Sequence, residues 1–126
     1  MRLLLDSAFV IDLFNGHEGA VARHEAIFEA GDEAMINEIV VCEVRAGMRS
    51  SEAFLLHAFL EPIEFLQPGP DSAIRAGVWR EDARARGRHL ALADALIAAA
   101  AEAVDGAVLT RNVKDFALTP VRIETY

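Results

Sequence analysis

Short apolar runs alternate with helix-length segments along the whole chain, and this alternation limits the fold more than any other feature. Residues 2–5 form a run too short for a helix and apolar enough for a strand buried on both faces. Further strand candidates are 33–36, 63–66, 107–110 and 121–124. Between them lie segments with helical spacing and helix-end residues. Ser7 is expected to cap a helix over about 8–15, stopped by Asn15-Gly16. A second helix spans 18–30, with Val21, Ile27 and Phe28 apolar and Gly31 as its C-cap. Asn37 caps a helix running to about Arg49, and Ser50-Ser51 opens another that ends before Pro62. Residues 67–70 read as a loop, and Asp71 or Ser72 caps an arginine-bearing helix to Gly87. Residues 90–104 are an alanine-rich helix. Asp105-Gly106 turns into the fourth strand, and a short turn or helix follows near Lys114. Strands that alternate with helices imply a parallel sheet covered on both faces. With 126 residues and no repeat or linker, one α/β domain over 1–126 is expected.

Composition narrows the class. Apolar residues make up 53% of the chain and charged residues 25%, a globular balance. No apolar run reaches the ~20 residues of a membrane span. The opening MRLLLDSAFVIDLF is broken by Asp6 and Asp12, so it reads as a strand entering a helix rather than a signal segment. The lone Cys42 can form no internal disulfide, so a reducing cytoplasm is the default, and its apolar surroundings suggest a buried structural thiol. The net charge of −8 argues against broad nucleic-acid binding. Eleven of the twelve cationic residues are arginines, and five of these fall between Arg75 and Arg88. A local arginine stretch can still hold a phosphate backbone.

Four acids then stand out, because each lies beside an apolar run. Asp6 sits in LLLDS, Glu43 in IVVCEVRAG, Asp94 in LALADALIAAAA, and Asp115 in AVLTRNVKDF. An acid next to buried residues costs free energy unless a charge compensates it. In an open α/β sheet, ligands bind beyond the carboxyl ends of the strands. Asp6, Asn112 and Asp115 fall there directly, and Glu43 and Asp94 fall in the early turns of helices that start there. Hard ions such as Mg²⁺ and Mn²⁺ prefer oxygen ligands, and can activate water against a phosphodiester without a protein nucleophile. His17, His24, His57 and His89 show no zinc-ligand spacing; His24 and His57 read as surface or half-buried helix residues. Each acid alone has a plainer role: Asp6 as an N-cap, Glu43 paired with Arg45 or Arg49, Asp94 in a first helical turn, Asp115 in a solvated turn. Joint placement favours function.

These fragments together resemble the PIN-domain ribonucleases, and most closely the VapC-type toxins of bacterial toxin–antitoxin pairs. LLLDS is similar to the family's opening motif, CEVRAG to its second, LADALIAAAA to its third and LTRNVKDF to its fourth. The resemblance covers essentially the whole length. It implies a three-layer α/β/α sandwich around a mainly parallel sheet, and RNA cleavage dependent on Mg²⁺ or Mn²⁺. It implies Asp6, Glu43 and Asp94 as core catalytic and metal-holding acids, Asp115 as a variable fourth, and Ser7 and Asn112 in support. It further implies a cognate antitoxin and a homodimer. Arg80, Arg84, Arg111 and Lys114 are the candidates for holding RNA phosphates.

The sequence departs from the family pattern at three places: Ala8 where asparagine is common, Val40 where a hydroxyl is common, and no second acid at Asn112. These point to one tightly held ion rather than two. A receiver domain is disfavoured because Asp6 has no acidic neighbour, and a haloacid-dehalogenase-type phosphatase because Ala8 replaces its second aspartate. The remaining rival is a PIN-like binding or scaffold protein without turnover.

Overall fold

Leu3, Leu4 and Leu5 are wholly excluded from solvent, and the strand they form, β1 (Arg2–Leu5), is the middle of the sheet. The computed structural model describes all 126 residues. Four further strands follow: β2 (Glu33–Asn37), β3 (Glu64–Leu66), β4 (Ala107–Leu109) and β5 (Arg122–Glu124). Their order is β3-β2-β1-β4-β5, and every pairing is parallel. The helices are α1 (Ser7–Phe14), α2 (Glu18–Glu29), α3 (Glu38–Ala46), α4 (Ala53–Leu60), α5 (Pro70–Ala85), α6 (Leu92–Ala103) and α7 (Val113–Phe116). The chain steps from β1 to β2 to β3 in one direction, then returns to add β4 on the far side of β1. Right-handed crossovers therefore put α1 to α4 on one face and α5 to α7 on the other, giving an α/β/α sandwich. The direction reverses between β1 and β4, so the crevice for a ligand lies where those two strands end.

Several local expectations shift. The helix α1 begins at Ser7, with Asp6 rather than Ser7 in the capping position, and the Asp6 carboxylate makes no capping bond. Asn37 does cap α3, its Oδ1 accepting from the Val40 amide at 3.1 Å. That helix stops at Ala46, before the expected Arg49, and a 3₁₀ turn over Ser50–Glu52 leads into α4. Gly69 precedes α5 and Pro70 occupies its first turn, so neither Asp71 nor Ser72 caps it. Proline needs no N–H there, and its fixed φ suits the first helical turn. The helix α6 begins two residues later than expected, at Leu92.

Cys42 is exposed, not buried. Helix α3 buries Val40 and Val44, one turn apart. A residue midway between them points to the opposite side of a 3.6-residue helix, so the apolar run around Cys42 misled.

Candidate active site

The backbone of Asp6 donates to the Leu109 carbonyl at 3.1 Å, which locks the end of β1 to the end of β4. Its side chain is nearly enclosed and accepts from the Thr110 hydroxyl at 2.7 Å. The same hydroxyl oxygen accepts from the Asn112 amide at 2.9 Å. Thr110 thus fixes both the first acid and the loop that carries the fourth motif. Burial pushes the Asp6 carboxyl above its ordinary range; the Thr110 hydroxyl and the Ser7 and Ala8 amides oppose that shift, and the Glu43 charge reinforces it.

Glu43 projects from the second turn of α3 and accepts from the Ser7 hydroxyl at 2.5 Å. Asp94 lies in the first turn of α6, half-buried. Its carboxyl is pushed up to about 6, first by burial and then by the negative charges of Asp6, Asp115 and Glu43. The acids from β1, α3, α6 and α7 therefore share one electrostatic field. Asp115 and Asn112 are exposed, at α7 and in its capping position, and line an open depression with Arg111 and Lys114. No three acidic or imidazole side chains are drawn up around a common centre.

The cations divide. Arg80 is partly buried and donates through Nε to the Leu90 carbonyl at 3.0 Å, tying α5 to the segment before α6. That bond uses one of its five N–H donors, so Arg80 braces α5 while its terminal nitrogens stay available to an anion. Arg84 is exposed on α5. Arg75, in the same stretch, pairs with Glu102 of α6 and lies over the Trp79 ring. Arg111 and Lys114 alone border the depression beside Asp115. Reading the sequence missed three contributors: Thr110, Asp12 and Tyr126. Asp12 interrupts the run FVIDLF and meets the same test as the four acids, so a signal existed. Thr110 and Tyr126 gave none, because their partners are 104 and 114 residues away.

Residues 3–120 match the family described as the PIN domain. The chain belongs to the PIN-domain family. It is 32% identical over 117 residues to "Ribonuclease VapC19" of Mycobacterium tuberculosis, covering 93% of this chain and 94% of that relative. The fold is shared with a VapBC2 complex from Rickettsia felis bound to a fragment of promoter DNA, at a TM-score of 0.84 and 22% identity, over 100% of this chain and 99% of that one. A toxin–antitoxin complex from Klebsiella pneumoniae is similar at a TM-score of 0.72 and 28% identity, over 94% and 92% of the two chains.

The donor chemistry of this PIN domain suits a divalent cation. All four acids offer oxygen, and burial together with the charges of Asp6, Asp115 and Glu43 keeps a proton on Asp94 to unusually high pH, a tension that added positive charge would relieve. Side-chain rotation would still have to close the set.

Proposed function

We propose that this PIN domain is a metal-dependent endoribonuclease and the toxin of a toxin–antitoxin pair. The observation that carries the reading is Asp94, pushed up to about 6 by burial and by Asp6, Asp115 and Glu43 at the shared carboxyl end of β1 and β4. Mg²⁺ or Mn²⁺ held by these acids would supply a more acidic water and Lewis-acid polarisation of a phosphodiester. The protein's own part is positioning. Thr110 orients Asp6, and Ser7 orients Glu43. Asp94 and Asp115 complete the donor set, with Asn112 in support. Arg111 and Lys114, with Arg80 and Arg84 of α5, offer charge to RNA phosphates, which a chain of net charge −8 needs at its cleft.

An antitoxin fits the groove between α1, α3 and α4, floored by buried Val44 and flanked by exposed Ile11 and Leu55 and half-buried Phe14 and Met48. A second copy of the chain fits the outer face of α5, where Ile74 and Val78 stand exposed one turn apart. No helix is long and apolar enough to cross a membrane. A toxin that cleaves RNA works in the cytoplasm.

The purified chain, freed of partner, should cut structured RNA with Mn²⁺ or Mg²⁺ and stop with EDTA, and Asp6→Asn should abolish the cut. Cleavage that survives EDTA sinks the metal mechanism. Absence of cleavage under saturating Mn²⁺, across RNAs of varied structure, would favour the rival, a silent PIN-like binding or scaffold protein.

A further inference from the structure

Outside the acidic cleft, one buried carboxylate is fully engaged by two distant segments. Asp12 lies on α1 and is 7% exposed. Its Oδ1 accepts from Arg111 Nη1 at 3.0 Å and its Oδ2 from the Tyr126 hydroxyl at 2.7 Å. The Tyr126 ring is itself held edge-on between Phe9, at 5.0 Å, and His17, at 5.9 Å. Asp12 is therefore a rigid anchor, fixed on one side by an immobilised ring and reaching a guanidinium on the other.

The anchored arginine is placed for use. Arg111 follows Thr110, the residue that holds Asp6, and its side chain remains 55% exposed. It borders the depression that contains Asn112 and Asp115. A guanidinium has five N–H donors in a planar fork, so a bond to Asp12 leaves most of them for another anion. An arginine held in one geometry loses little further freedom when it meets a phosphate.

We infer that Asp12 and Tyr126 are positioning residues that hold Arg111 at the rim of the acidic cleft, where it binds a phosphate of the RNA. This rests on the ribonuclease reading above and adds two residues to it. Their action is on substrate binding, not on the reacting atoms.

The test uses the full chain with Mn²⁺ and the structured RNA that the parent cuts. Arg111→Ala should raise KM about ten-fold. Tyr126→Phe keeps the ring and removes only the hydroxyl, and should raise KM about three-fold with kcat within about two-fold. In the Arg111→Ala background, Tyr126→Phe should add nothing, because the two act as one unit. The geometry has its own readout. Tyr126 is the only tyrosine, so near-ultraviolet absorbance reports its ionisation alone. Burial and the Asp12 hydrogen bond hold that ionisation well above the ordinary range, and Asp12→Asn should bring it down. A Tyr126→Phe effect on KM that persists undiminished without Arg111 overturns the inference, as does an unchanged KM. A parent chain that neither binds nor cuts RNA removes the ribonuclease reading and this inference together. A parent that cuts normally while Tyr126→Phe leaves KM alone removes this inference only.

Discussion

Replacing Asp94 with asparagine should make the metal-free protein more stable at neutral pH. The Asp94 carboxyl moves from an ordinary 3.8 to about 6 on folding. A carboxyl so shifted burdens the folded state, when ionised, by roughly 3 kcal/mol, at 1.36 kcal/mol per factor of ten. Asp94 is only half-buried, and solvent screening reduces this to about 1–2 kcal/mol. The direction follows from proton binding. The folded chain holds this proton more tightly than the unfolded chain, so the burden is absent below about 4, grows as pH rises toward about 6, and is full above it. An asparagine side chain carries no charge at any pH, so Asp94→Asn should melt roughly 3–8 °C above the parent at pH 7.5 in EDTA. The two should converge as pH falls to about 4. Adding Mn²⁺ should reverse the order, because the parent gains from binding and the variant has lost a ligand. Thermal melts across pH 4–8, with EDTA and with millimolar Mn²⁺, decide the matter. Equal melting temperatures at pH 7.5 in EDTA, or a gap that does not shrink on acidification, would refute the shared-field argument.

Three other changes test separate parts of the structure. Thr110→Val removes the hydroxyl from buried Asp6 and from the Asn112 amide, and should cost about 1–3 kcal/mol in denaturant unfolding while moving the acidic limb of the activity profile upward. Ser7→Ala frees Glu43 without removing an acid, so RNA cleavage should fall several-fold, far less than with Asp6→Asn, and the Mn²⁺ needed for half-maximal activity should rise. Gly106→Ala would place a methyl 3.0 Å from the Arg2 carbonyl and 3.2 Å from the Met35 methyl, and should destabilise by about 1–3 kcal/mol in the same unfolding assay, with activity at low temperature retained.

The sheet could be read from the sequence because its strands are signalled locally. Leu3 to Leu5 announce β1, and Asn37 announces the start of α3 through a cap whose partner is three residues away. Helix ends set by backbone constraint rather than by capping side chains were harder. Pro70 begins α5 ahead of the expected Asp71 or Ser72, and α3 ends at Ala46 ahead of the expected Arg49. Exposure on a short helix was misjudged at Cys42, where apolar neighbours hid which side faces out. The four acids were visible because each interrupts or borders an apolar run. What orients them was not, since Thr110 reaches Asp6 and Tyr126 reaches Asp12 only after the sheet has formed. The strand order, unknown from sequence, is what makes Thr110 a neighbour of Asp6.

The pairing of β1 with β4 also sets a clock. The strand at the centre of the sheet is the first made, and one of its two neighbours is not available until the chain has been extended to Leu109. Until then Asp6 lacks both the Leu109 carbonyl and the Thr110 hydroxyl, and Asp115 has not been synthesised. Contacts spanning so much of the chain form late, after local helices and the β1–β2 pair. A growing polypeptide on the ribosome therefore carries an incomplete cleft through most of its synthesis. Ile11, Val44 and Leu55, which line the groove between α1, α3 and α4, all precede β4 in the chain, whereas the acidic cleft needs residues on both sides of it.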